Sequence, residues 1–152
     1  MRLIAHNIRS MHNVGAIFRS ADAFCVEKLY LTGYTATPPR KEIAKVALGG
    51  EDRVPWEFAA DPLLLITRLK KEGWKIIALE NAAGSKPILS IAQDNQSSRV
   101  ALILGSEVEG IAPEILALCD ETVEIPMRGN KRSLNVSVAA GIALFAFQPK
   151  ID

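Results

Sequence analysis

Only two cysteines, Cys25 and Cys119, occur in 152 residues. That is too few for a disulfide framework, and reduced thiols are the plain reading. The two histidines, His6 and His12, are isolated, so no third ligand is spaced for zinc and no metal site is expected. An excess of one charge is also missing: 18 basic residues face 17 acidic ones, for a net charge of +1. Such a chain is not a non-specific polyanion binder, and any nucleic-acid contact must use a local basic surface. Long hydrophobic runs are absent as well. The longest nearly apolar stretch, Val136 to Phe147, contains Ser137 and falls short of the ~20 residues that span a bilayer. The opening MRLIAHNIRS is polar by position 6, which a signal-peptide apolar region does not tolerate. A soluble cytoplasmic protein without membrane contact is expected.

What is present is ordinary globular composition, 49% hydrophobic and 23% charged, with glycine and proline scattered rather than gathered into a linker. A chain of this length buries ~70% of its unfolded surface and makes one domain, residues 1–152. Val14, Ile17, Phe18 and Ala21 recur at helical spacing and predict an amphipathic helix over Asn13 to Phe24. Further helices are predicted for Arg40 to Leu48, for Pro62 to Glu72 with Asp61 as N-cap and Gly73 as terminator, for Pro113 to Leu118, and for Val136 to Phe147. Strands are predicted at Leu3 to His6, Glu27 to Leu31, Lys75 to Leu79, Val100 to Leu104 and Thr122 to Ile125. The continuous apolar run VALIL suits a strand covered on both faces. Strands alternating with helices imply an α/β domain with a mainly parallel sheet, whose ligands sit beyond the carboxyl ends of the strands.

Three loops follow strands there: ENAAGSK (80–86), GSEVEG (105–110) and PMRGNKRSLN (126–135). The second lacks both GxGxxG and the Gly-Lys-Ser/Thr of a phosphate loop, and Glu107 and Glu109 would repel a pyrophosphate. A cofactor without phosphate fits better; two turn glycines with solvated carboxylates are the plain alternative. The third loop puts Arg128, Lys131 and Arg132 beside Ser133 and Asn135. The cations suit a phosphodiester, unless they are merely solvated and Ser133 or Asn135 is a helix cap. Near the start lie Arg9, His12, Asn13 and Arg19; the plain role for Arg19 is an ion pair with Asp22 three residues on. Trp56 and Trp74 read as core or interface rather than as stacking platforms.

These segments resemble the three motifs of the SpoU (TrmH-like) branch of the SPOUT RNA methyltransferases: NIRSMHNVGAIFRSADAF (7–24), LILGSEVEGI (102–111) and IPMRGNKRSLNVSVAA (125–140). With the intervening AKVALGGEDRVPWEF, the likeness covers nearly the whole chain. It implies a SPOUT-type fold, a parallel α/β sheet with a deep C-terminal trefoil knot, which periodicity alone does not show. It further implies that S-adenosylmethionine is held in the knotted loops and that the site is completed across a homodimer. On this resemblance Arg19 looks like the catalytic arginine and Asn13 its positioning partner. Glu107 looks like the second-motif carboxylate, and Ser133 and Asn135 like the polar pair of the third. Cofactor contacts are expected at Leu79, Glu80, Gly105, Gly110, Ile125, Met127, Ser133 and Leu134.

The implied reaction is methyl transfer to a ribose 2′-hydroxyl of RNA. In it Arg19 binds the RNA phosphate and orients the hydroxyl, whose proton passes to that phosphate or to an Arg19 of perturbed pKa. Many relatives add an RNA-binding domain or long extensions; with none seen here, the domain's own surface is expected to hold the RNA, tRNA in preference to ribosomal RNA. Arg9, Arg40, Lys41, Lys45, Arg53, Arg128, Lys131 and Arg132 are the candidate patch. The family usually has glycine where this chain has Cys25, and a cysteine disfavours a positive-φ turn, so the local backbone is expected to differ. Two competing readings are an RNA-binding or assembly protein of the same fold without activity, and a dehydrogenase-like enzyme, the latter opposed by the missing GxGxxG.

Overall fold

The computed structural model describes residues 1–95 and 99–149. Seven strands run parallel in one sheet: β1 (Arg2–His6), β2 (Lys28–Thr32), β3 (Trp56–Ala59), β4 (Lys75–Leu79), β5 (Lys86–Pro87), β6 (Val100–Leu104) and β7 (Glu121–Glu124). Their order is β3-β2-β1-β6-β4-β7-β5. The first three strands build outward from β1 in one direction. The chain then returns to the other side, where β6 inserts between β1 and β4, in register Arg2 to Ala101 and Lys75 to Val100. Helices α1 (Met11–Ala23), α2 (Lys41–Ala47), α3 (Gly50–Arg53), α4 (Pro62–Lys71), α5 (Ile88–Asp94), α6 (Pro113–Leu116) and α7 (Val136–Ala146) complete the element order.

Strand alternation divides the core into two layers. Leu3, Ala5, Leu29, Leu31, Ile77, Leu102, Leu104 and Val123 point to the face covered by α1, α2, α5 and α7, meeting Ile17, Phe18, Ile43, Ile88 and Ala140. Ile4, Tyr30, Ile76, Ala78, Ala101 and Ile103 point to the other face, against Leu65, Ile66 and Leu69 of α4 and Ile115 of α6. All five residues of β6 are buried, as the run VALIL predicts for a central strand. No described helix is long and apolar enough to cross a membrane.

Local chemistry sets the helix ends. The Asp61 carboxylate accepts from the Leu63 and Leu64 amides at 2.8 and 3.2 Å, with Pro62 in the first turn. The helix predicted over Asn13 to Phe24 starts two residues earlier, because Ser10 is its N-cap, accepting from the Asn13 amide at 3.2 Å. The sequence did not reveal β3, α3, β5 or α5. Each is short, from two to seven residues, too brief for a periodic signal, and β3 and β5 lie at the sheet edges, where burial does not impose an apolar run. The helix predicted to Leu118 stops at Leu116.

The expectation at Cys25 is corrected. Helix α1 closes with Val26 N–H donating to the Ala21 carbonyl at 2.9 Å and Cys25 N–H to that of Asp22 at 3.2 Å. Helix α4 closes in the same way, Trp74 to Leu69 and Gly73 to Lys70, both at 3.0 Å. The left-handed position is filled by Gly73 in one case (φ 85°) and by Cys25 in the other (φ 51°). The turn is kept and the cysteine bears the strain. Replacing Cys25 by glycine is therefore expected to stabilise the fold by about 1 kcal/mol. In a thermal melt that is an increase of about 2–4 °C; an unchanged or lower melting temperature would show that the turn costs the cysteine nothing.

Candidate active site

The loops after β4, β6 and β7 converge on one cavity of about 520 Å³ beyond the carboxyl ends of these strands. Its apolar wall comes from Leu79, Leu104, Ile125, Met127, Leu134 and Val136, and its carboxylates from Glu80, Glu107, Glu109 and Glu124. All eight residues expected to contact a cofactor, Leu79, Glu80, Gly105, Gly110, Ile125, Met127, Ser133 and Leu134, line it. The volume is in the usual range for small-molecule sites, ~300–1,000 Å³.

Glycine is required in the loop after β6. Gly110 has φ 68°, its amide donates to the Ser106 carbonyl at 2.9 Å, and a β-carbon there would collide with Glu80 Oε2. A β-carbon on Gly105 would lie 2.6 Å from the Gly110 carbonyl carbon and 2.6 Å from Ile111 Cγ1. The Ser106 hydroxyl accepts from the Val108 and Glu109 amides at 3.2 and 3.3 Å, holding the turn. Glu80 braces the same loop from the side: Oε2 accepts from the Ile111 amide at 2.9 Å and Oε1 from the Asn81 amide at 3.0 Å. Its carboxylate is thus occupied in shaping the cavity. Asn81 Nδ2 donates to the Arg132 carbonyl at 3.1 Å, tying the loop after β4 to the one after β7.

Beside the cavity, three separated parts of the sequence meet through side-chain hydrogen bonds. Asn13 Nδ2 donates to Glu107 Oε1 at 2.8 Å, and Asn135 Nδ2 donates to Asn13 Oδ1 at 3.2 Å. Asn135 Oδ1 accepts from the Ser137 amide at 2.9 Å and from the Ser137 hydroxyl at 2.6 Å. Asn135 therefore caps α7, one of the roles its position left open, and also holds Asn13, which its position did not suggest. Ser133 is exposed on the cavity wall. Sequence reasoning missed Asn81, Ser106 and Ser137. Ser137 alone carried a signal, as a hydroxyl two residues after a cap. His6, at the carboxyl end of β1, is buried with Nδ1 2.9 Å from Thr32 Oγ1. Burial lowers its pKa below the usual imidazole value, against an opposing pull from Glu114.

Arg19 is not brought to this group. It is exposed, it does not line the cavity, and among the described residues no hydrogen bond or ion pair holds it. Helix geometry explains this: six residues after Asn13 it lies about 240° around α1 and ~9 Å along it. The pair expected between Arg19 and Asp22 is not formed. Asp22 instead takes Arg53 at 2.6 Å, which lowers the Asp22 pKa, chiefly through that hydrogen bond. Arg53, one of the candidate RNA contacts, thus has its charge compensated. Arg9, Arg40, Lys41, Lys45, Arg128, Lys131 and Arg132 are all exposed, in two groups. Arg128, Lys131 and Arg132 are on the loop after β7 and Arg9 donates its amide to Glu107 at 3.4 Å, whereas Arg40, Lys41 and Lys45 lie on or beside α2.

The profile of the SpoU rRNA Methylase family matches residues 1–145. This chain belongs to that family. SpoU relatives include the tRNA (guanosine(18)-2'-O)-methyltransferase of Aquifex aeolicus, 33% identical over 96% of this chain and 67% of that protein. The 23S rRNA (guanosine-2'-O-)-methyltransferase of Escherichia coli K12 is 34% identical over 94% of this chain and 57% of its own length. A solved SpoU-type structure, an AdoMet-bound rRNA methyltransferase from Sinorhizobium meliloti, superposes with a TM-score of 0.88 at 28% identity, covering 96% of this chain and 54% of that one. The chain thus spans between about half and two thirds of the length of these three relatives. The parallel sheet and flanking helices expected of a SPOUT-type fold are present.

The cavity's residues fit S-adenosylmethionine. The donor carries a sulfonium and an ammonium, and the wall offers carboxylates at Glu107, Glu109 and Glu124 against one cation, Arg132. Along 126–134 the Arg132 carbonyl alone is engaged by a described residue. Main-chain donors and acceptors are therefore free to read an adenine between apolar side chains. The Asn13–Glu107 contact carries its own prediction. Asn13→Ala and Glu107→Ala are expected to lower methyl transfer by similar factors, and the double variant to be no worse than the poorer single one, because both remove the same contact. Multiplying losses in a transfer assay would separate the two residues.

Proposed function

We propose that this domain transfers a methyl group from S-adenosylmethionine to a ribose 2′-hydroxyl of RNA, with tRNA as the preferred class over ribosomal RNA. The observation that carries this reading is the hydrogen-bonded run Glu107–Asn13–Asn135 beside a cavity built by the loops after β4, β6 and β7. When bound, S-adenosylmethionine supplies an electrophilic methyl group, its C–S bond breaking as the ribose O2′–C bond forms. Glu107, fixed by Asn13, adds a negative charge to the cavity wall and favours the positively charged donor there. Ser133 on the cavity wall and Asn135 beside Asn13 are the polar groups for the incoming ribose. Arg19 holds the RNA phosphate and orients the hydroxyl, and the hydroxyl proton leaves to an oxygen of that phosphate as the O2′–C bond forms.

The working unit is a homodimer. Helix α7 is apolar on its outer face as well as its inner one, with Val138, Ile142 and Phe145 exposed by 50%, 38% and 68%, and Phe24 of α1 extends this face by an edge contact to Phe145 at 6.4 Å. Pairing through α7 and α1 covers this surface and brings Arg19 of one protomer to the cavity of its partner, which accounts for its distance from its own Asn13. The C-terminal segment is threaded as the family's knot requires, and the Asn81–Arg132 hydrogen bond ties the loop after β7 to the loop after β4. The sites of action are cytoplasmic RNAs, and no metal takes part.

Titration calorimetry tests the cavity. S-adenosylmethionine is expected to bind and NAD is not; the reverse would turn the assignment toward a dehydrogenase. Labelled methyl transfer to separate tRNA and ribosomal RNA pools tests the substrate class, with tRNA the better acceptor. Salt sensitivity is expected in the RNA step alone, because the phosphate contacts release counterions.

A further inference from the structure

The loop after β2 presents one aromatic ring to solvent. Tyr34 is 57% exposed, and among the described residues its ring makes no aromatic pair. A single exposed apolar side chain needs no explanation by itself. What sets Tyr34 apart is how firmly its backbone is held. Its amide donates to Asn7 Oδ1 at 3.0 Å. Asn7 lies in the left-handed region (φ 54°), and its own amide donates to the Thr32 carbonyl at 3.2 Å. Gly33, at φ 63°, leaves the room for this, since a β-carbon there would collide with Asn7 Oδ1. One residue after Tyr34, the buried Thr35 hydroxyl accepts from the Ile8 amide at 3.0 Å and donates to the Thr32 carbonyl at 2.8 Å. The loops after β1 and β2 are thus locked to each other, with strained backbone at Asn7.

The same segment runs to the active site. Ile8 is followed by Arg9, which is exposed and whose amide donates to Glu107 Oε2 at 3.4 Å. Ser10 comes next and caps α1 ahead of Asn13. Strands β2, β1 and β6 are neighbours in the sheet, so the end of β2 lies about 10 Å from the end of β6, where the cavity begins. Tyr34 therefore stands on the rim of the methyl-transfer site, on the same braced unit as an exposed cation.

We propose that Tyr34 is a stacking platform for an RNA base that flanks the methylated nucleotide, with Arg9 taking the adjoining phosphate. The inference deepens the reading of the domain as an RNA methyltransferase and rests on it. RNA presented in a loop or single strand has unstacked bases, and the face of a tyrosine replaces the lost stacking partner. Tyrosine suits an exposed post, because its ring is broad and apolar while its hydroxyl keeps contact with water. The bracing matters because a ring already held in place loses little freedom when RNA arrives. Such a contact touches the plane of a base and not its edge. It positions the strand and does not choose the base.

The test is fluorescence anisotropy of the whole protein, in the presence of S-adenosylhomocysteine, with two labelled probes. One is a short mixed-sequence single-stranded RNA and the other an abasic strand of the same length. Tyr34→Ala is expected to weaken binding of the RNA about tenfold, the scale of one stacked base, and binding of the abasic strand not at all. Tyr34→Phe should keep wild-type affinity, whereas Tyr34→Leu, apolar but not flat, should lose most of it. At an exposed position all three variants should fold, with S-adenosylhomocysteine affinity and oligomeric state unchanged. Arg9→Ala should weaken both probes alike and flatten their salt dependence, as loss of a phosphate contact does. Tyr34→Ala protein that binds the RNA as wild type does, at whatever affinity, would overturn the platform. So would equal losses on both probes, a leucine variant as good as the phenylalanine one, or a changed oligomeric state, which would assign the ring to a protein interface. Base-dependent binding through Tyr34 without methyl transfer would leave the platform standing and remove the activity. Transfer to tRNA with KM unchanged in Tyr34→Ala would do the opposite.

Discussion

Arg19→Ala is expected to lower methyl transfer by about 10³-fold, the scale of losing a group that stabilises charge at the reacting centre. Binding of S-adenosylmethionine and the fold itself should be unaffected. Arg19 is exposed on α1 and held by no described residue, and a surface helical position of this kind tolerates alanine within about 0.5 kcal/mol. The geometry makes a stricter prediction than loss alone. Arg19 is turned away from the Asn13–Glu107–Asn135 run of its own chain, so in the proposed dimer its place is at the partner's cavity. Mixing Arg19→Ala protein with Asn135→Ala protein, each inactive alone, should then restore about a quarter of wild-type activity, since half of randomly paired dimers are mixed and each mixed dimer holds one intact site. If the mixture stays inactive, Arg19 acts within its own chain or not at all.

Gly105→Ala is the second large effect, and it acts on the cofactor rather than the RNA. The added methyl would meet the Gly110 carbonyl carbon at 2.6 Å, its oxygen at 2.7 Å and Ile111 Cγ1 at 2.6 Å. Two of these atoms are backbone, so the loop must move, and the loop is the wall of the cavity. Overpacking of this kind costs about 1–3 kcal/mol of stability. The larger consequence is on S-adenosylmethionine affinity, which should fall roughly 100-fold, because the main-chain groups that face the cavity lose their alignment. Calorimetry on the folded variant measures this directly. Unchanged affinity would show that the loop after β6 does not contact the donor.

Much of the site was legible because it is made of loops whose residue types have few other uses. Gly105 and Gly110 flank two glutamates after an apolar strand, a pattern that speaks against phosphate, and the cavity wall is acidic. Asn135 could be read as a cap or a polar site residue; it is the cap, and it hydrogen-bonds Asn13 beside the cavity. The strands with strong apolar signal, VALIL above all, were found at nearly their observed limits, whereas Trp56–Ala59 was not, because an edge strand carrying Glu57 and a half-exposed Phe58 has no period to detect. Arg19 shows a different limit. Its role, and a site completed between two chains, were implied by likeness to a motif; helical geometry adds that Arg19 lies on another face of α1 from Asn13. Cys25 shows that one residue type can be overruled: the bonds from Val26 and Cys25 to α1 keep the left-handed turn despite the side chain.

The central claim is a ribose methylation, and the position of the transferred methyl group decides it. RNA labelled by the protein with tritiated S-adenosylmethionine is digested in alkali, where a free 2′-hydroxyl is needed to cleave the adjoining phosphodiester. The account predicts label retained in alkali-resistant dinucleotides and recovered, after enzymatic digestion, in 2′-O-methylated nucleosides. Label released in mononucleotides and recovered on a base would contradict it.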